Sequence, residues 1–492
     1  MHVRAEAEHG AAPADERRGA PAPGGSSSVQ QQEPGLHVFL LLLAMRIVNA
    51  LATRTFFQPD EFFQSLEPAW QMAFGEQSGA WITWEWKNQL RSSLHPALFA
   101  GLFAGVSAIS GICSVSLALR AELLIAAPKI TQAALAASTD YFTWRLAEQA
   151  FGARSSAAWA SSETFVACRS GGLCSEANER SHLDMHFRTH VVASFDACGV
   201  LALSILADRR YYGLWTFPPL RFVHFNIAKS LAVFYGTNRP DYYLTEGLPL
   251  LLTTALPFTV YGAQQAAVLG VLLAINVLVA GYGSQVHQRG VVDVLHMLRR
   301  QHESQALDGG SGNTTVGFLM PCHSTPWRSH LVYPEIKAWA LTCEPPIDVP
   351  LDRRASYLDE ADEFYIDPGP VAWLGQHMES VGAIRGKGHV SKDKDEHRTH
   401  SSDPKRPWPK YLVFFQPLEG TLADFLRGTK YKECWRGFNS HFHDDSRRKG
   451  DVIAWCLDDD GADAAHDHAE QHGLPGKERI SSGQWGMGKL RE

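Results

Sequence analysis

The chain has 492 residues with a formal net charge of -7, and a pI near 6.3. That balance argues against a nucleic-acid-binding protein, which presents a basic face to the phosphate backbone. The mean hydropathy is slightly negative, but the average conceals an uneven chain: apolar runs crowd the first 285 residues and polar sequence fills both ends.

Residues 1–36 are rich in Ala, Pro, Gly, Ser, Gln and charge. Such a segment buries too little apolar surface to offset the entropy of ordering it, and it reads as a disordered tail. It is too polar for a cleaved signal peptide. The run His37 to Thr53, HVFLLLLAMRIVNALAT, then acts as an uncleaved anchor. Arg46 interrupts it, and a charge at that depth has to face protein or a cavity. Further candidate spans are Pro96–Leu119, Glu122–Ser138 (which carries Lys129), Val191–Ala207 with Asp196, Thr245–Ala263 and Ala266–Tyr282. Each approaches the ~20 residues that a bilayer requires. Together they predict a multispanning domain over residues 37–295. Ser161–His190 interrupts it with polar sequence that has no period.

From residue 296 the character changes. Apolar runs alternate with Pro, Gly and Asp, and YLVFFQPL at Tyr411 reads as a strand followed by a turn. A small mixed α/β region is expected over residues 296–457, with a flexible Lys-, Asp- and His-rich insertion at 387–410 and a disordered tail at 458–492. Cys322, Cys343, Cys434 and Cys456 all fall in this region. They form disulfides if it is lumenal and stay free buried thiols if it is not. No spacing suits structural zinc. Asn313-Thr314-Thr315 fits a glycosylation sequon, which matters only on the lumenal side.

The first span leads into TFFQPDEFFQSLE, where Asp60 and Glu61 stand among Phe56, Phe57, Phe62 and Phe63. A carboxylate held near apolar rings tends to keep its proton to higher pH, which suits a general base. Next comes TWEWKNQLRSSLHP, with Glu85 between Trp84 and Trp86, then Lys87, Arg91 and His95. Tryptophan rings stack on sugars, and cations bind phosphate oxygens. Residues 54–95 therefore read as a catalytic loop, with Glu85, Trp86, Lys87, Arg91 and His95 binding substrate. An interfacial anchor loop with ordinary helix caps explains the same composition. Cys322-His323-Ser324 reads as a nucleophile set or, more simply, as a structural turn, because adjacency in sequence does not place a base beside its nucleophile. The acidic run at Asp359, Glu360, Asp362 and Glu363 reads as a solvated face.

FFQPDEFFQSLEPAW and TWEWKNQLRSSLHP resemble the first lumenal loop of glycosyltransferase family 22. Thr216–Pro249 resembles a middle segment of that family. VHQRGVVDVLHML, FLMPCHSTPW, LTCEPP and DEADEFYIDP resemble the C-terminal region of its branch that builds the glycosylphosphatidylinositol (GPI) anchor. The resemblance implies a polytopic α-helical membrane protein of GT-C-type glycosyltransferase fold in the endoplasmic reticulum membrane. It further implies an α1,2-mannosyltransferase that takes the third mannose of the GPI precursor from dolichyl-phosphate mannose, without a metal or other cofactor. The matching base position is Asp60, with Glu61 as its neighbour; Tyr235 and Tyr243 fall where the substrate groove runs. A sister enzyme of N-glycan precursor assembly, or a non-catalytic homologue, is the alternative. Three departures stand against the family pattern. Residues 161–190 replace a more apolar segment, FYGTNRPDYY replaces a His-Pro-Trp-His-Trp-Tyr-like string, and a His-Lys-Glu motif is missing near residues 260–285.

Overall fold

A computed structural model describes residues 34–56, 58–151, 198–231, 239–242, 245, 266–307, 314–384 and 405–457. The sequon's Asn313, the two tyrosines Tyr235 and Tyr243, Asp196, residues 161–190 and nearly all of the Thr245–Ala263 run lie outside them.

Helix α1 (Pro34–Ala52) begins with proline at its first turn, where a missing N–H costs nothing. It packs along α4 (Leu117–Phe151). Arg46, the charge that interrupts the apolar run, forms a two-pronged pair with Asp140 of α4, with Nε–Oδ2 at 2.6 Å and Nη2–Oδ1 at 2.9 Å. The guanidinium thus faces protein, as its cost in a bilayer demands. Helix α3 (Leu94–Ile112) is Gly- and Ala-rich and packs on α2 (Glu67–Phe74) and α4. Gly35–Ala52 and Leu94–Ile112 are the two helices among the described residues that are long and apolar enough to cross a membrane.

Two expected spans need correction. Pro96–Leu119 is not one helix: it ends at Ile112, and Ser114 takes a positive φ of 50° before α4 starts. Glu122–Ser138 is the middle of the 35-residue α4, which passes through Pro128. A further helix covers residues 198–212 (α5), and the apolar α6 (Ala266–Gln285) presents Val277, Leu278 and Val279 outward.

The C-terminal region is a five-stranded mixed sheet in the order β2-β1-β3-β5-β4. The strands are β1 (Thr315–Leu319), β2 (Lys337–Ala340), β3 (Tyr411–Phe415), β4 (Tyr431–Ser440) and β5 (Gly450–Leu457). β1 runs parallel to β2 and β3, whereas β5 is antiparallel to both β3 and β4. Strand residues alternate between faces. Phe318, Val413 and Val452 join the core that also holds Phe56, Phe63, Trp70 and Phe103 of the N-terminal half. Leu412, Phe414 and Ile453 face a second core with Phe364, Trp373 and Leu422.

Helix α7 (Gly290–Leu307) joins the two halves and runs across the expected boundary at 295/296. Its buried Val291, Val294, Leu295, Leu298 and His302 recur at helical spacing, so one face lies on the core. Gly290 is required at its start, since a Cβ there would lie 2.9 Å from the Phe438 carbonyl oxygen.

Both cysteine pairs close as disulfides, Cys322–Cys343 and Cys434–Cys456. The DEADEFY run is structural rather than a free acidic face. Asp359 caps a short helix by accepting from the Asp362 N–H at 2.8 Å. Glu360 accepts from Thr342 and pairs with Arg406 at 2.9 Å. Arg406 and the buried Trp408 belong to this fold, so the expected insertion does not extend to residue 410.

Candidate active site

The segment after α1 is held from two sides, by residues 283–288 and by α4. The Arg54 and Phe56 N–H groups donate to Ser284 and Gln288, and the Thr55 hydroxyl donates to Gly283 at 2.8 Å. The Lys129 ammonium of α4 donates to the Thr53 carbonyl at 2.9 Å. Pro59 then opens one helical turn, Pro59–Glu61, with both carboxylates in it, followed by a π-helical turn, Phe62–Leu66. Such turns often occur at functional sites. Phe63 and Leu66 point into the core, while Asp60 and Glu61 stay exposed.

The two acids differ in what they face. Glu61 lines a cavity of about 380 Å³ with Arg46, Arg54, Lys129 and His330. A larger cavity of about 860 Å³ shares Thr53, Arg54, Lys129, Val292 and His330 with it and continues to Asp293, His296, Arg300 and Arg436. Asp60 lines neither and opens to solvent.

The acidic turn is clamped from the C-terminal region. Glu67 is fully buried and accepts from the Ser329 N–H at 2.8 Å and the Trp81 N–H at 3.1 Å. Burial pushes its carboxyl up from the usual range, and those N–H groups oppose the shift. The Trp327 indole and the Arg328 guanidinium both donate to the Gly79 carbonyl, at 3.1 and 3.3 Å. His323 packs between Phe63 and Trp81. Burial, with Arg448 adding to it, lowers His323 to about 4, so its ring is neutral near pH 7. His330 is neutral as well, held far below the ordinary histidine range by burial and by the charge of Lys129. The nucleophile reading of Cys322-His323-Ser324 falls away: the thiol is spent in a disulfide, and the Ser324 hydroxyl donates to the Pro321 carbonyl.

The other expected binding residues are near the acidic turn but not around its cavities. Glu85 accepts from the Gln64 amide at 2.9 Å and lies 3.9 Å from Arg91. Arg91 is further occupied by the Phe222 ring. His95 is 3.3 Å from the Ser65 hydroxyl. Trp86 is only 2% exposed, with its indole N–H on the Phe63 carbonyl and its ring beside Tyr211 and Tyr212. It is a core residue, not an open platform for a sugar. Lys87 pairs at the surface with Glu344 at 2.7 Å. A lysine so engaged, and outside both cavities, is poorly placed to take a phosphate.

Four residues at the site escaped the sequence reading. Lys129 had a signal, because a lysine within an apolar helix is a functional candidate by default. Glu67, His330 and Arg54 had none, since only the distant partners in space mark them.

Residues 37–170 and 173–269 match the Alg9-like mannosyltransferase family. The GPI mannosyltransferase 3 of Emericella nidulans is 40% identical over 90% of this chain and 81% of its own length. That of Aspergillus fumigatus is 36% identical over 90% of this chain and 80% of its own length. The GPI alpha-1,2-mannosyltransferase 3 of Mus musculus is 26% identical over 91% and 90% of the two chains. The Emericella alignment runs over 554 residues, more than the 492 present here, so that relative has segments without counterpart in this chain. No solved structure matches. An acidic turn at the exit of an apolar helix, clamped by a disulfide-bonded α/β region, is therefore the framework of a glycosyltransferase, and the chain belongs to the Alg9-like mannosyltransferase family.

Proposed function

We propose that this chain transfers the third mannose of the GPI anchor, in α1,2 linkage, from dolichyl-phosphate mannose to the GPI precursor at the lumenal face of the endoplasmic reticulum membrane. The observation that carries the reading is the position of Asp60 and Glu61: eight and nine residues past the end of a membrane-length helix, with one acid open to water and the other on a cation-lined cavity. Kinship with relatives named for this step supports the choice of substrate. The two disulfides fit an oxidising lumen. Those facts are consistent with a multi-pass GT-C enzyme.

The donor is β-linked and the product α-linked, so the anomeric carbon inverts. Asp60, on the water side, takes the proton from the acceptor 2-hydroxyl. The acceptor oxygen bonds to the anomeric carbon as the bond from that carbon to the phosphate oxygen breaks on the opposite face. Dolichyl phosphate leaves with the electron pair. Glu61 lies on the cavity side, in the same lining as Lys129. No residue here is asked to form a covalent intermediate.

Expression in cells that lack the third-mannose step tests the reading. The two-mannose GPI precursor that accumulates in those cells should disappear when the chain is supplied. Persistence of that precursor, with the protein present in the membrane at normal level, rejects the function.

A further inference from the structure

Six cations line the paired cavities beyond Glu61, against the carboxylates of Glu61, Glu122 and Asp293. Arg46, Arg289 and Arg436 line them but are engaged with Asp140, Asp293 and Glu433. Arg54, Lys129 and Arg300 have no carboxylate oxygen within 4.0 Å among the described residues, although Glu61 and Glu122 act on Lys129 from further away. Lys129 reaches only a carbonyl, and an ammonium has three hydrogens to give. His330 is fully buried and lines both cavities, yet its Nδ1 has no hydrogen-bond partner among the described residues. A buried polar atom left without a partner is costly, and one facing a cavity is most simply explained by a ligand that completes it.

The shape says which ligand. The smaller cavity starts beside Arg46 and Asn49 within α1 and ends at Gln58 and Glu61. From Asn49 to Thr53 it follows the helix for roughly 6 Å at 1.5 Å per residue. The outer side of α1 carries the exposed Leu40, Leu41, Met45 and Val48. An anion lodged here is therefore reached along a lipid-facing helix, and its charged end lies beside the acidic turn.

Resting on the mannosyl-transfer reading above, we propose that Arg54, Lys129, Arg300 and His330 form the seat for the phosphate of the polyprenyl donor, the group that leaves when mannose is transferred. Arg54 and Lys129 hold the oxygens by charge-assisted bonds, Arg300 closes the wider end, and the neutral His330 adds one polar contact. This replaces Lys87 and Arg91, whose side chains are taken up by Glu344, Glu85 and Phe222.

The test is binding of a short-chain polyprenyl phosphate to the full-length protein in lipid nanodiscs, with phosphatidylinositol nanodiscs as the comparison. Charge-assisted bonds of about 1.5–3 kcal/mol predict that Lys129→Gln and Arg300→Gln each weaken polyprenyl-phosphate binding by about 10- to 100-fold. Arg427→Gln, which removes only a surface pair with Asp424, should change nothing. Each variant is first checked for wild-type melting, and because Lys129 also ties down Thr53, Arg300→Gln decides if Lys129→Gln is unstable. Unchanged polyprenyl-phosphate affinity in a folded variant overturns the proposal, and so does a loss confined to phosphatidylinositol. Asp60→Asn separates the two readings: it should keep the phosphate affinity of the wild type while mannose transfer falls by about 100-fold or more.

Discussion

His323 lies against Phe63 with ring centroids 4.1 Å apart and planes inclined by 34°. One residue adjoins the Cys322–Cys343 disulfide and the other sits two positions past Glu61. The acidic turn is thus braced by a residue 260 positions further along the chain, and the brace works only while the imidazole is uncharged. Its pKa falls from 6.5 to about 4 in the folded protein. The unfolded chain therefore binds a proton first as pH falls, so the contribution is complete above pH 6.5 and is lost on the way down to about 4. Up to about 3 kcal/mol is at stake for this group. Thermal melting of the solubilised protein across that range should show the decline, and His323→Phe should flatten it. An equally steep decline in the variant assigns the effect elsewhere, His296 being the next candidate.

Glu67 predicts a second outcome. Replacing it with alanine strands the Ser329 and Trp81 N–H groups, at about 1–3 kcal/mol each. Glu67→Gln keeps a carbonyl oxygen for one of them and should lose less. Melting temperatures that rank wild type above glutamine above alanine support the clamp; equal values for all three remove it.

Gly79 has a positive φ of 72°, and a Cβ there would meet the Arg328 Nε at 2.8 Å. That guanidinium is already fixed by the Tyr333 carbonyl at 2.8 Å and cannot swing away without cost. Gly79→Ala should destabilise by about 1–3 kcal/mol, the strained backbone and the clash acting together. Gly213→Ala is the comparison: its φ of 73° is nearly the same, but a Cβ there meets nothing within 4 Å. A larger loss at Gly213 than at Gly79 contradicts the close approach.

The adjacent acids should separate in kinetics. Asp60→Asn is expected to lower kcat for mannose transfer by 2 to 4 orders of magnitude, roughly what a positioned general base contributes. Glu61→Gln removes a charge on the cavity side and should act mainly on donor KM, by less than about tenfold. Microsomal transfer assays over a range of donor concentrations distinguish the two. If Glu61→Gln carries the larger kcat defect, the base is Glu61.

The sequence disclosed what is local. The apolar run of α1, the need to bury Arg46, the acidic turn and the strand at Tyr411 each follow from a few adjacent residues. So did the candidate disulfide cysteines, though not their pairing, which depends on how the pairing of β1 with β2 and of β4 with β5 brings them together. What stayed hidden depends on partners remote in the chain. Lys87 looks free until Glu344 arrives from 257 positions away. Trp86 looks like a platform until α5 supplies Tyr211 and Tyr212. The DEADEFY carboxylates look solvated until Thr342, Arg406 and Arg447 meet them.

The pinning of Thr53–Phe56 by residues 283–288, and of the next turns by Ser329 and Trp327, bears on how the enzyme is made. The acidic loop leaves the ribosome early, and Lys129 follows within 80 residues, but the struts from residues 283–288, Trp327 and Ser329 are synthesised more than 200 residues later. A chain cut short before Gly283 therefore carries the entire acidic loop and Lys129 but neither the anchors of Thr53–Phe56 nor the clamp from Ser329 and Trp327.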